Sequence, residues 1–325
     1  MDPLQFFTAS RLLVVAGKGG VGKTTVTAAL ARAAADLGLR VLVLGVDGKE
    51  TLSVLLGGTG PLGDVEVTCA TGLGPDGRGE IRARLVRAGH ALSQYLDDHG
   101  LRRLTGRLLR HGVLDIVATA APGIDDLLVL GRIKQLETSG VADVVLLDAP
   151  AAGHAVTFLQ SARGLLDAVT TGPVRTQAAE VSALLADPAR CQVVLVTLPE
   201  ETPVNEVIDT AYALEDRVGI ALGPVVVNGL YPEFDDLEQL TTGADRGALD
   251  PDVLDADVVD PDVLAAARFR LERTAIQRQQ LARLAEALPL TQLPLPLVFT
   301  AAIGPEEIAE LAGQLLDGIA AVATA

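Results

Sequence analysis

Several residue types are scarce in this chain of 325 residues. It contains no tryptophan, one methionine and two cysteines, and aromatic residues make up only 3% of it. Hydrophobic residues nevertheless reach 49%, so the core must be built mainly from alanine, valine and leucine. A core of this kind is typical of buried parallel strands covered by helices.

The two cysteines, Cys69 and Cys191, each lie beside a β-like run. Neither has a second cysteine or a histidine at the spacing of metal ligands. We therefore interpret both as buried thiols with a packing role.

Long apolar runs are also missing. No run approaches the ~18 residues that a transmembrane helix needs, and the first residues lack the basic start and apolar stretch of a signal peptide. We expect a cytoplasmic protein without an integral membrane segment, in which any membrane contact is made through a partner. The net charge of −16 argues against a surface that neutralises phosphates of nucleic acid, so no nucleic-acid partner is expected.

Apolar runs alternate with helical patterns along the chain. The run at 12–16, the alanine-rich stretch at 23–37 and the run at 40–46 predict a βαβ unit with a right-handed crossover. Further strands are predicted at 65–69, 114–118, 144–148, 192–198, 224–228 and 295–299. The alternation predicts an α/β fold with a doubly wound, mostly parallel sheet flanked by helices, in a single domain over residues 1–325.

Two stretches interrupt this alternation. Residues 80–140 carry arginine-rich amphipathic segments, which we interpret as a helical insertion layered over the sheet. Residues 233–290 begin with an acidic stretch through Asp262, which predicts a mobile loop, and continue as a charged helix over 264–288.

A glycine-rich loop follows the first predicted strand. It consists of Gly17, Lys18, Gly19, Gly20, Val21, Gly22, Lys23, Thr24 and Thr25, and it matches G-x-x-x-x-G-K-[ST] in the strand–loop–helix context of a P-loop. The glycines let consecutive backbone N–H groups face phosphate oxygens, and the positive end of the next helix adds to the field. Lys23 is expected to reach the β- and γ-phosphates, and Thr24 to offer its hydroxyl to Mg²⁺.

Lys18 is a second lysine in this loop, close enough to the phosphates to stabilise charge there. With it the sequence resembles the deviant Walker A ATPases, which include partition and cell-division ATPases and the arsenite-pump/tail-anchored-protein-targeting ATPases. In that class the lysine matching Lys18 reaches the partner's nucleotide across a dimer interface. The resemblance therefore implies a nucleotide-sandwich dimer, either a homodimer or a heterodimer with a paralogue.

Separated segments resemble the arsenite-pump/targeting branch in particular. Residues 121–126 (APGIDD) are similar to its P-G-I-D-E segment, and 147–154 (LDAPAAGH) to its switch II, D-T-A-P-T-G-H, with the proline displaced by one place and Thr157 where an arginine is usual. Residues 199–206, which end at Glu206, resemble its P-E-x-x-x-x-x-E segment. Asn228 matches the strand-end asparagine that contacts adenine, which favours ATP over GTP; a turn-forming asparagine is the alternative.

Two aspartates complete the candidate site. Asp148 ends a run of four apolar residues at the carboxyl edge of the sheet, where ligands of open α/β folds bind, and a carboxylate there can hold Mg²⁺. Asp47 follows the second strand and matches the switch I aspartate that, in the family, orients the attacking water beside the metal. Each could instead be a capping or turn carboxylate. The switch I segment of the family, D-P-A-H-N, is replaced at residues 47–51 by DGKET. His154, in the switch II segment, is either a switch residue or a packed histidine.

The resemblance implies a Mg²⁺-dependent ATPase that controls binding of a protein partner or client. Two separated cysteines do not supply the arsenite-binding cluster of the pump ATPases. With one methionine, the chain lacks the methionine-rich client groove of the eukaryotic targeting factors. Without a CxxC motif, it also lacks their zinc site. The alternatives are a nucleotide-gated regulatory protein with weak hydrolysis, a positioning ATPase of the partition or cell-division type, and a P-loop kinase or synthetase.

Overall fold

The computed structural model describes residues 2–46, 51–98, 123–232 and 260–322, together with Phe234, Leu237 and Thr241. These residues form an eight-stranded sheet with helices on both faces. The strands are β1 (Leu12–Gly17), β2 (Arg40–Gly45), β3 (Val67–Leu73), β4 (Gly79–Leu85), β5 (Val144–Asp148), β6 (Cys191–Thr197), β7 (Ala221–Leu230) and β8 (Gln292–Pro296). The helices are α1 (Pro3–Thr8), α2 (Lys23–Asp36), α3 (Thr51–Leu55), α4 (Ala88–Asp98), α5 (Ile124–Thr138), α6 (Ala152–Ala168), α7 (Pro173–Ala186), α8 (Glu201–Ala213), α9 (Pro261–Ala287) and α10 (Pro305–Ala321), and a π-helical turn (Leu214–Val218) follows α8.

The sheet has the strand order β3-β4-β2-β5-β1-β6-β7-β8, and β3, paired with β4, is its antiparallel strand. Strand β1 pairs in parallel with β5 on one side and β6 on the other. In this register Asp148 lies beside Val15 and Gly45, and Gly17 lies beside Val196. The carboxyl ends of four strands therefore meet at one edge of the sheet.

Successive side chains of β1 face opposite sides of the sheet, and both sides are covered. Leu12, Val14 and Ala16 pack with residues of α5 to α8, whereas Leu13 and Val15 pack with residues of α1, α2 and α10. All five are fully buried. Burial on both faces explains why this strand is a continuous apolar run, and the doubly wound, mostly parallel sheet predicted from the sequence is confirmed.

Most predicted strands are found within a few residues of their expected limits. The strands predicted at 12–16, 40–46, 144–148, 192–198 and 224–228 correspond to β1, β2, β5, β6 and β7. The predictions at 65–69 and 295–299 overlap β3 and β8 only in part. Strand β8 includes Pro294 and Pro296, which an edge strand tolerates because one side of its backbone needs no hydrogen-bond donors. The strand predicted at 114–118 lies outside the described residues.

The beginning of the predicted helical insertion is wrong, because residues 79–85 form strand β4. Ile81, Ala83 and Leu85 pack against the core that includes α2. Between them, Arg82 forms ion pairs with Glu66 and Glu80. Alternation of apolar and charged residues has the period of a strand. Parallel pairing with β2 shows that this segment is a strand of the sheet.

The remainder of the interrupted stretches is divided between described and undescribed residues. Helices α4 and α5 lie within 80–140, whereas residues 99–122 of this stretch lie outside the described residues, as does most of the loop predicted from 233 through Asp262. The helix predicted at 264–288 is α9, which begins earlier because Asp260 caps it by accepting a hydrogen bond from the N–H of Asp262. No helix in the described part of the chain is both long and apolar enough to cross a membrane.

Gly79 allows β4 to lie close to α2. A Cβ at this position would collide with the carbonyl oxygen of Ala35 and lie 2.8 Å from the carbonyl carbon of Ala35 and from the carbonyl oxygen of Leu73. Because backbone atoms would have to move, Gly79→Ala should lower the free energy of unfolding by about 1–3 kcal/mol. Urea unfolding followed by circular dichroism measures this loss.

The matched control is Gly89→Ala in α4, where an added Cβ meets nothing within 4 Å. Alanine is the better helix former, so this variant should be as stable as the parent or more stable. Equal stability of the two variants would contradict the close approach at Gly79.

Candidate functional site

The glycine loop between β1 and α2 is held against the end of β6. A Cβ on Gly17 would collide with the carbonyl oxygen of Val196 and lie 3.2 Å from Val21 Cγ2. Val21 itself is buried in the core below the loop. The close approach of the loop backbone to the backbone of β6 therefore requires glycine at position 17. Val21 anchors the loop to the core, whereas Gly19 and Gly20 are exposed.

Gly22 makes the turn from the loop into α2. Its φ of 88° is in the left-handed region, which favours glycine. The first hydrogen bond of the helix runs from the N–H of Val26 to the carbonyl of Gly22, at 2.9 Å. The N–H groups of Lys23, Thr24 and Thr25 thus have no carbonyl one turn earlier in the helix. The positive end of the helix dipole faces the loop. No acidic residue in the first turn of α2 offsets it.

Lys23 lies across the loop rather than in solvent. Its side chain is nearly buried, with 4% of the residue exposed, and its ammonium donates to the carbonyl oxygen of Lys18 at 2.9 Å. A phosphate placed on the loop would therefore be close to a cation that is already largely removed from bulk water, where charge interactions are strong.

Thr24 and Asp148 meet beside the loop. The Thr24 hydroxyl donates to Asp148 Oδ2 at 2.8 Å, although the two residues are 124 positions apart. Asp148 is 8% exposed and lies where β5 ends, next to β1. A hydroxyl and a carboxylate are the hard oxygen donors that Mg²⁺ prefers, so the residues present fit the predicted metal.

The side chain of Lys18 contacts helix α8. Its ammonium lies 2.6 Å from Glu206 Oε1, and the two side chains are 37% and 40% exposed. Glu206 ends the family segment at 199–206 noted in the sequence, where no contact was predicted for it. No local sequence pattern could have predicted the contact between Lys18 and Glu206, because the two residues are 188 positions apart.

Asn228 lies near the end of β7 and contacts the loop. Its amide nitrogen donates to the carbonyl oxygen of Val21 at 3.0 Å, and a Cβ on Gly22 would collide with that nitrogen. Gln277 of α9 fixes the chain that follows: it donates to the carbonyl of Gly229 and accepts from the N–H of Tyr231. Contact with adenine stays a prediction for Asn228, but its position beside the loop is compatible with it.

The other switch residues are only partly within the described chain. Asp47 lies outside the described residues, so its roles in placing water and binding metal stay predictions. His154 is exposed near the start of α6. Partial burial raises the pKa of Asp126 in α5, Asp125 raises it further, and positive charge on His154 lowers it. Because it is exposed, His154 is not a packed core histidine, and its role as a switch residue stays a prediction.

The two cysteines lie far apart in the sheet. Cys69 is in β3 and Cys191 in β6, five strand positions away, which at the usual strand spacing is about 24 Å. The predicted burial is confirmed for Cys191, which is fully buried, but it is wrong for Cys69, which is only partly buried because it lies in the edge strand β3. Burial raises the pKa of both thiols. Within one chain these residues cannot form a shared thiolate site.

Comparison with known proteins agrees with this geometry. Residues 12–300 match the CobQ/CobB/MinD/ParA nucleotide binding domain. The chain is 32% identical over 249 residues to ATPase BagA of Mycobacterium tuberculosis, covering 74% of this chain and 71% of that protein, and equally to a putative ATPase of Mycobacterium bovis.

A more distant relative is the arsenical pump-driving ATPase of Escherichia coli, which is 31% identical over 219 residues. That match covers 64% of this chain but only 33% of the pump ATPase, so the likeness concerns one part of a longer protein. The resemblance noted in the sequence is confirmed by these matches. The chain belongs to the CobQ/CobB/MinD/ParA family of P-loop nucleotide-binding domains, with relatives that include the arsenical pump-driving ATPases.

Proposed function

We propose that this protein is a Mg²⁺-dependent ATPase that hydrolyses ATP in a nucleotide-sandwich dimer and uses the cycle to control binding of a protein partner. The observation that carries the proposal is the cluster at the carboxyl edge of the sheet. There the N–H groups of the first turn of α2, the Lys23 ammonium and the Thr24–Asp148 pair surround one loop. These are the groups that recognise a triphosphate and its metal.

The chemistry at this site consists mainly of positioning and charge stabilisation. Lys23 and the loop amides would hold the β- and γ-phosphates and stabilise negative charge that develops during phosphoryl transfer. Thr24 and Asp148 would hold Mg²⁺, which neutralises phosphate charge when bound. Asp47 would orient the attacking water. Lys18 would act on the nucleotide of the second subunit, as in-trans cationic residues do in other phosphoryl-transfer enzymes.

Asn228 would select the base. The amide nitrogen of Asn228 donates to the carbonyl oxygen of Val21, and the side-chain oxygen, which is the acceptor of the amide, would accept from the exocyclic amine of adenine. Guanine presents an acceptor oxygen at the equivalent place. This arrangement would favour ATP over GTP. Because Asn228 also contacts Val21 of the loop, base recognition would depend on the position of the loop.

The proposed control of a protein partner rests on the relatives. The E. coli relative is named for driving an arsenical pump, so that protein acts on a second one. Since the two cysteines of this chain are about five strand spacings apart, and therefore about 24 Å from each other, we propose that the shared feature is coupling to a partner and not recognition of arsenite. The dimer would be a homodimer or a heterodimer with a paralogue.

Lys23→Ala tests the assignment of the loop. Removing this nearly buried cation should lower ATP turnover by about a hundredfold or more, the usual cost of losing one preorganised electrostatic group. Phosphate release by the purified variant measures the loss. Lys134→Ala, which removes a lysine from α5 far from the loop, should leave turnover unchanged. Normal turnover in Lys23→Ala would refute the proposed site.

Lys18→Ala tests the role across the dimer. The variant should bind ATP nearly as well as the parent, because the ammonium lies on Glu206, whereas its turnover should fall on the order of a thousandfold. Nucleotide binding by fluorescence and single-turnover hydrolysis separate the two effects. Binding without hydrolysis in the parent protein itself would instead favour a nucleotide-gated regulatory protein.

Mixing Lys18→Ala with Lys23→Ala distinguishes action across the dimer from action within one subunit. In a mixed dimer, the subunit with intact Lys23 receives Lys18 from its partner, so one complete site is formed. A mixture should therefore recover part of the parent turnover although each variant alone is inactive. Failure of the mixture to recover would contradict a role for Lys18 in trans if both variants are shown to associate.

A further inference from the structure

Helix α8 brings an acidic residue next to the loop. The helix follows β6, whose end is in register with Gly17. Val204 and Val207 of α8 are buried in the core, and the Thr210 hydroxyl donates to the carbonyl of Glu206 at 2.6 Å. Glu206 is therefore presented next to the loop from a helix that is packed on the core.

Lys18 has the longer side chain of the pair. Its ammonium is carried on a flexible four-carbon chain, and in this structure it is held 2.6 Å from Glu206 Oε1. Glu200, at the start of the same helix, is paired with Arg273 at 3.0 Å. Of these two carboxylates of the α8 region, Glu206 is thus the one that directs Lys18 toward its own subunit.

We propose that Glu206 is a positioning residue that holds Lys18 on its own subunit and thereby opposes closure of the dimer until nucleotide is bound. This inference rests on the proposed function, in which Lys18 acts on the nucleotide of a second subunit. Lys18 cannot contact Glu206 and the partner's phosphates with the same ammonium at full strength. The triphosphate, which carries more negative charge than one carboxylate, takes the ammonium from Glu206 when the subunits associate.

The size of the effect follows from the exposure of the pair. Both side chains are more than a third exposed, and ion pairs of this kind change an equilibrium by roughly two- to fivefold. Glu206 therefore sets the protein concentration at which hydrolysis begins, and it does not determine whether hydrolysis takes place.

Glu206→Gln tests this inference. Turnover per subunit is measured against total protein concentration at saturating ATP and Mg²⁺, and association with ATP is followed by analytical ultracentrifugation. The variant should reach half-maximal turnover at a protein concentration roughly two- to fivefold lower than the parent, with the same plateau. Glu206→Asp, which restores the charge, should return the concentration toward that of the parent.

Two controls isolate the pair. Asp209→Asn makes the same change of charge at an exposed position of α8 and should not move the midpoint. In a Lys18→Ala background, Glu206→Gln should no longer change association in the ultracentrifuge, because the partner of the carboxylate is gone.

Any outcome other than those expected above counts against the inference. An unchanged or higher midpoint in Glu206→Gln, or a lower plateau, overturns the proposed role of Glu206 and leaves the ATPase assignment standing. Turnover per subunit that does not depend on protein concentration, in a parent that sediments as a monomer with ATP and Mg²⁺, overturns the sandwich dimer, and the inference with it. Loss of ATP turnover in every protein, including the parent, is failure of the proposed function and also removes the basis of the inference.

Discussion

Strand β1 is hydrogen-bonded in parallel to β5 and to β6 and is buried on both faces. The placement of the loop, of Asp148 and of α8 depends on this double pairing. Because β5 ends at Asp148 and β6 leads into α8, groups far apart in the chain are delivered to the same edge of the sheet. The close approach of Gly17 to Val196 then leaves the loop little freedom to move away from them.

Charge is distributed unevenly around this edge. The chain carries a net charge of −16 and has only four lysines, of which two are in the loop. Lys23 is nearly buried and held by a loop carbonyl, whereas Lys18 is partly exposed and held by a carboxylate. Burial would suit Lys23 to the proposed contact with phosphate, since water screens a buried charge little. Exposure leaves Lys18 able to exchange partners, as the proposed role between subunits would require.

Much of the fold could be predicted from the chain because the central strands have strong local patterns. The runs of β1, β2 and β5 are apolar throughout, as expected for strands covered on both faces. Prediction failed at β4, where arginines alternate with Ile81, Ala83 and Leu85. That alternation has the period of a strand, but the segment was grouped with the arginine-rich stretch that follows it. The hydrogen bonds to β2 show that it is a strand. At β8 two prolines obscured the limits of an edge strand.

The sequence by itself determined the loop and the helix that follows it, since a P-loop is a contiguous motif whose glycines, lysine and threonine act at fixed spacing. Tertiary structure decided which distant groups complete the site. Asp148 meets Thr24 across 124 residues, Glu206 meets Lys18 across 188, and Asn228 meets the loop across 207. These contacts depend on strand order and on which helix packs beside the loop. Such long-range pairing is set by burial of the whole sheet, and no local pattern of residues encodes it.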